Sequence, residues 1–176
     1  MSHCLENDTL KIAIDTYGAE LSSIYNKKEN KEMLWQGDPA FGGRKSKTIL
    51  LMNGENLKYN LINSDGLYTE PKYNIENSFV LHDSIFDNDA LIIENSEVNE
   101  ISLIDNNKKY LTVKFDAPLF GIWSPAKKNA PFVCIEPWYG RCDSEDFEGD
   151  ITEREWSNSL DVGKTWYKEY EIIINE

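Results

Sequence analysis

Chemistry in this sequence would have to come from a few carboxylates set beside aromatic rings. The stretch APFVCIEPWYG, Ala130 to Gly140, is an apolar run that ends on Glu136 and meets Pro137, Trp138 and Tyr139 at once. Asp89 lies in FDNDALII, just ahead of a second apolar run, and Arg44 closes the glycine-rich GDPAFGGR. Aromatic faces stack on the C–H faces of sugar rings, while carboxylates and guanidinium groups hydrogen-bond to hydroxyls. Glu136, Asp89, Trp138 and Arg44 together therefore suit a neutral carbohydrate. Each also has an ordinary structural reading: Asp89 as a turn residue, Trp138 as core, Glu136 as a strand-end charge in water.

Other chemistries lack their residues. The sequence has no GxGxxG, GxxxxGK[ST], GxSxG or CxxC pattern, which leaves nucleotide, phosphate and serine-nucleophile chemistry without support. The two histidines, His3 and His82, are far apart, so no histidine-rich metal site is expected. The acidic tract DSEDFEGDITEREW lacks the fixed spacing of a calcium loop and reads as a solvated loop. The cysteines, Cys4, Cys134 and Cys142, are odd in number and lack metal-like spacing; Cys134, inside an apolar run, reads as a small buried thiol.

The elements that must position these residues are strands. Leu10, Ile12 and Ile14 of TLKIAID share one face, and Leu111, Val113 and Phe115 of KYLTVKFD share another. EISLID, ALIIE, FGIWS, PFVCIE and TWYKEYEIII add further strands, the one in PFVCIE being stopped by Pro137. Asn106-Asn107 between two alternating runs predicts a hairpin. Helical signal is confined to GENLKYNLIN, Gly54 to Asn63, which could form two or three turns, and to a turn within SFVLHDSIF. The pattern predicts an all-β chain, an antiparallel β-sandwich forming one domain over residues 1–176.

With 31 acidic against 18 basic residues, the formal net charge is −13. Such a surface repels phosphate backbones, which argues against nucleic acid and anionic membrane as partners. No apolar run reaches the roughly 20 residues of a spanning helix, and the N-terminus lacks a signal-peptide pattern, so a cytoplasmic location is expected.

Three stretches carry a resemblance to a known family. GAELSSIYNKKENKEMLWQGDPAFGGR is similar to the N-terminal segment of the aldose 1-epimerase (galactose mutarotase-like) family. IFDNDALII and the run from FGIWSPAKKNAPFVCIEPWYG through SLDVGKTWYKEYEIII resemble the C-terminal part of its LacX-like bacterial branch. The resemblance implies a shortened galactose mutarotase-like supersandwich and interconversion of the anomers of a free aldose such as glucose or galactose, with no cofactor. It places Glu136 as the base that takes the anomeric proton and Asp89 as a sugar-hydroxyl binder; Trp138 is not a standard catalytic residue of the family, but its place beside Glu136 suits it to line the pocket. In the family an imidazole usually protonates the ring oxygen.

The departures from the family pattern are equally specific. Neither of the family's histidine motifs, HGFAR-like and GHPAF-like, occurs here, and the FPIVGRL-like segment is missing too. The resemblance thus implies an internal deletion with its junction near residues 45–53. His82, seven residues before Asp89, reads as a surface or strand-end histidine. Three readings follow: an anomer-interconverting isomerase, a sugar-binding protein without turnover, and a structural remnant. Loss of strands from a large sandwich would also expose edges and favour a homodimer.

Overall fold

The computed structural model describes residues 1–38, 47–69, 72–94 and 97–175. They fall into two compact units, Met1–Phe41 and Gly42–Glu176. In the first, β1 (Ser2–Glu6), β2 (Leu10–Asp15), β3 (Leu21–Asn26) and β4 (Lys31–Glu32) form one antiparallel meander in chain order. TLKIAID forms β2, where Ile12 pairs with buried Ile24, but a register shift between Ala13 and Ile14 interrupts the expected alternation. Glu32 fixes the far end of this sheet, accepting hydrogen bonds from Ser23 Oγ at 2.6 Å and the Ile24 and Leu34 amides at 2.9 and 3.0 Å.

The second unit carries β5 (Ile49–Met52), β6 (Lys58–Tyr59), β7 (Tyr73–Asn74), β8 (Ser78–Val80), β9 (Leu91–Glu94) and β10 (Glu100–Asp105). It continues with β11 (Lys108–Phe115), β12 (Leu119–Trp123), β13 (Cys134–Trp138) and β14 (Tyr170–Ile174). A five-stranded sheet runs in the order β14-β11-β10-β5-β8, a three-stranded sheet in the order β13-β12-β9, and β6 pairs with β7. The described strand pairs are antiparallel, as the alternating patterns require.

The two larger sheets pack as a sandwich because each has an apolar inner face. Leu50, Met52, Ile101, Leu103, Leu111, Val113 and Phe115 line one inner face, and Leu91, Ile93, Phe120 and Ile122 the other; all are buried. Phe115 meets Phe120 across the gap with ring centroids 5.4 Å apart. On the opposite face of the five-stranded sheet the buried hydroxyls of Ser102 and Thr112 satisfy each other at 3.0 Å. The predicted hairpin joins β10 to β11: Asn106 and Asn107 take φ of 49° and 61°, the left-handed pair that a two-residue type I′ turn requires.

Two expectations are corrected. Gly54 to Asn63 is not helical; it contains β6, and Asn60 exchanges backbone hydrogen bonds with Ile92 of β9 at 2.8 and 3.1 Å. The unpaired edge of β9 supplies partners that a short helix would have had to make internally. Nor does Pro137 stop its strand, since β13 continues to Trp138. Because β13 is an edge, the missing proline N–H deprives no neighbour. The turn expected in SFVLHDSIF is a single 3-10 turn at Asp83–Phe86. Among the described residues no helix is long and apolar enough to cross a membrane.

Candidate functional site

The candidate site is the outer face of the three-stranded sheet. Directly paired residues of an antiparallel sheet point to the same side. Gly121 pairs with Ile92 on one flank and Glu136 on the other, while Leu119 pairs with Glu94 and Trp138. Cys134, Glu136 and Trp138, spaced by two along β13, therefore share this face with Glu94, Ile92 and Leu119. Phe120, Ile122, Leu91 and Ile93 fill the inner face.

Gly121 is what lets the face take its form. A methyl group added there would lie 2.8 Å from Trp138 Cζ2, so the indole lies across the strand where any other residue would place a side chain. In that pose Trp138 Nε1 donates to Glu136 Oε2 at 3.1 Å. Cys134 stands on the other side of Glu136. Burial first, and then the charge of Glu136 and a hydrogen bond to it, push the Cys134 thiol up to about 11. The thiol is thus a neutral S–H donor, and it is half-buried where the sequence suggested a buried thiol. Glu136 is half-buried between an indole N–H and a thiol.

A second carboxylate on the same face, Glu94, was not singled out by sequence. Its Oε1 accepts from Tyr68 Oη at 2.5 Å and lies 3.5 Å from Lys72 Nζ; its Oε2 accepts from Trp156 Nε1 at 2.9 Å and Arg141 Nε at 3.3 Å. The Glu94 and Arg141 side chains are only 6% and 2% exposed, so this is a buried ion pair. Arg141 also bonds Glu155 through Nη2 and the Cys142 carbonyl through Nη1, and its guanidinium sits 3.7 Å from the Tyr68 ring centroid. Burial pushes the Glu94 carboxyl up. The Tyr68 and Trp156 hydrogen bonds and the Arg141 charge outweigh it, and the net result is below the usual carboxylate range. Tyr68, Ile92 and Leu119 form a small core around this hub, with Trp138 and Trp156 against it.

The other sequence-predicted residues are placed less centrally. Asp89 is exposed, takes φ of 77° in the turn before β9, and accepts a 2.8 Å bond from the Ala90 amide. Two strand spacings, roughly 10 Å, separate β9 from β13. Asp89 is therefore near the Cys134 end of the face and makes no direct bond to Glu136. Arg44 lies outside the described residues. His82 is exposed, with Nδ1 2.8 Å from Ser84 Oγ, and His3 lies in β1 of the first unit. His82 makes no described bond to Glu136.

Two clefts open in the second unit. One of about 640 Å³ has Asn60, Lys58, Lys72 and Glu94 in its walls. The other, of about 580 Å³, is walled by Phe115, Tyr139, Trp156 and Trp166. Glu136 is not among the lining residues of either cleft. Asn60 is buried and gives its amide to the Thr69 carbonyl at 2.8 Å, which fixes one wall of the first cleft.

No protein-family model matches the chain, and no curated protein matches it. Solved structures do. The chain is similar to a galactose mutarotase related enzyme from Lactobacillus acidophilus, with a TM-score of 0.86, 18% identity, and 100% of this chain and 98% of that one covered. It is also similar to a galactose mutarotase-like protein from Lactobacillus casei, with a TM-score of 0.80, 16% identity, and 98% of each chain covered. The chain has this galactose mutarotase-like, aldose 1-epimerase-like β fold. At such identities the likeness is one of fold alone.

Proposed function

We propose that the chain binds a free aldose, an aldohexose such as glucose or galactose, on the outer face of the β13-β12-β9 sheet. One observation carries this: the Trp138 indole laid over Gly121 with its N–H on Glu136, which sets an aromatic plane beside a carboxylate. A sugar ring stacks on such a plane while the carboxylate receives its anomeric hydroxyl. Asp89 offers a second acceptor to a hydroxyl on the far side of the ring, and Arg44 is retained as a proposed binder.

Anomer interconversion is the second reading, favoured by the carboxylate of Glu136 standing beside the Trp138 indole on the same strand. Glu136 would take the anomeric proton as the C1–O5 bond opens, and rotation about C1–C2 would let the ring reclose on its other face. The ring oxygen must gain a proton in the same process, and within the second unit His82 is bonded to Ser84 and not to Glu136. Loss of general-acid assistance costs on the order of 10² to 10⁴ in rate, and free sugars mutarotate unaided in water. Binding without efficient turnover is therefore the better-supported reading, since the chain lacks both histidine motifs of the family it resembles. A homodimer through the open edges of β8 or β14 is part of the proposal, and sedimentation tests it.

Titration of glucose and galactose by ligand-observed NMR tests the site. Saturable binding that Glu136→Gln weakens at least severalfold supports the reading; a flat titration for both sugars overturns it. Polarimetry of fresh α-glucose tests turnover in parallel, with acceleration over buffer deciding for the isomerase.

A further inference from the structure

We infer that the cleft of about 580 Å³ between the β11–β12 connection and the segment after Trp156 is a second carbohydrate site, for a neutral pyranoside, distinct from the Glu136 face. The inference does not depend on Glu136. Its walls combine aromatic planes with a carboxylate and a cation that hold each other in place. Trp166 and Tyr139 meet edge to face, with ring centroids 5.2 Å apart and planes at 89°, and Trp166 remains 53% exposed. Trp156 spends its N–H on Glu94 and is anchored, so its ring is a fixed wall. An exposed indole beside a fixed one is a costly surface to leave to water, and a sugar's C–H face is its natural cover.

The polar groups select a neutral ligand. Lys168 Nζ lies 3.1 Å from Asp116 Oδ1 and 4.9 Å from the Tyr139 ring centroid. Its charge is already matched, and Glu97 adds a further acid to the lining, so an anionic ligand finds no unmatched cation there. Asp116, with its side chain 83% exposed, keeps acceptor capacity for hydroxyls. The Tyr139 hydroxyl is enclosed and has no hydrogen-bond partner among the described residues. Burial and the charge of Asp116 raise its pKa against the opposing pull of Lys168, so it stays protonated at neutral pH. A small shift of the exposed Trp166 lets a ligand hydroxyl satisfy it. Consecutive residues thus serve two surfaces, Trp138 the Glu136 face and Tyr139 this cleft.

Methyl glucopyranosides and methyl galactopyranosides are the probes, because their blocked anomeric centre gives Glu136 no proton to receive. Saturation-transfer NMR titration of the whole chain should show binding that Trp166→Ala weakens about tenfold or more, that Asp116→Asn weakens severalfold, and that Glu136→Gln leaves unchanged. Trp166 is exposed, so its removal leaves the fold intact, which circular dichroism checks. The inference is overturned if no methyl glycoside binds, if Trp166→Ala binds as the wild type does, or if Glu136→Gln abolishes binding. Free-aldose binding that depends on Glu136, with no methyl-glycoside binding, would sink this cleft and leave the function proposed above standing.

Discussion

Removal of the Glu94 charge tests the hub on which the outer face rests. In Glu94→Gln the carboxylate that meets Arg141, Lys72, Tyr68 and Trp156 becomes a neutral amide, while Arg141 stays almost wholly buried. Breaking a buried ion pair by deleting one partner costs about 3–5 kcal/mol, chiefly because the remaining charge is stranded. Here Arg141 keeps Glu155, whose side chain is 70% exposed and so a screened partner, which places the cost near the lower end, about 3 kcal/mol. For a chain of this size each kcal/mol moves the melting temperature by roughly 2–4 °C, which gives a fall of about 6–12 °C.

Thermal melts followed by circular dichroism at pH 7 would measure it, and a fall below about 2 °C would refute the hub. The double variant Glu94→Gln with Arg141→Met should recover much of the loss, since an apolar side chain replaces the stranded charge. The pH dependence supplies a second check. The Glu94 pKa is lowered by the fold, so its contribution is fully present above the ordinary carboxylate value of 4.5 and lost as pH falls through the lowered folded value. The gap between wild type and Glu94→Gln should therefore shrink as pH falls from 7 towards 3. A constant gap would contradict the assignment.

Gly121→Ala should displace the Trp138 indole, because the added methyl would lie 2.8 Å from its ring, and overpacking of this kind costs about 1–3 kcal/mol; unchanged tryptophan emission and melting temperature would count against the pose. Cys134, with its thiol raised to about 11 from 9.0, should carry roughly 100-fold less thiolate at pH 8 than an ordinary thiol, and alkylation mapped by mass spectrometry should be slower to match. Glu136→Gln should speed that alkylation, since Glu136 supplies part of the shift; equal labelling of Cys134 and Cys4 would overturn the placement. Asn107→Gly should raise stability by about 0.5 kcal/mol, because glycine suits the second position of the type I′ turn, and a lower melting temperature would refute the turn assignment.

Strand periodicity was the most legible layer of the fold. Alternation in KYLTVKFD follows from a strand that buries Leu111, Val113 and Phe115 on one face, and Asn106-Asn107 carries its own backbone signal. GENLKYNLIN misled because Leu57 and Leu61 are spaced as on a helix, whereas the long-range pairing of Asn60 with Ile92 decides the segment. Pro137 misled because an edge position cannot be read from a single strand. At the candidate site, Glu136 and Trp138 were legible as neighbours on one strand. The Glu94–Arg141 pair was not, since 47 residues separate partners that only sheet order brings together. A signal was present nonetheless: LIIE ends on a glutamate after an apolar run just as VCIE does.

Those two glutamates show why an acid that follows an apolar run is not by itself a base. A general base must accept a hydrogen bond from the substrate and then hold its proton. Glu94 already has a donor or cation at each oxygen's lone pairs and is biased towards its charged form, so it resists both steps. Glu136 has the Trp138 indole on one oxygen and the Cys134 thiol beside it, which leaves lone pairs for a hydroxyl. The thiol, at about 11, is a poor acid at neutral pH and cannot stand in for an imidazole at the ring oxygen. If a missing acid is what limits turnover, imidazole added at pH 7 should raise the protein-dependent part of the glucose mutarotation rate, beyond imidazole's own catalysis. Glu136→Gln should erase that increment, because the base would be gone. A wild-type increment that stays at zero as imidazole rises would show that the face lacks more than an acid.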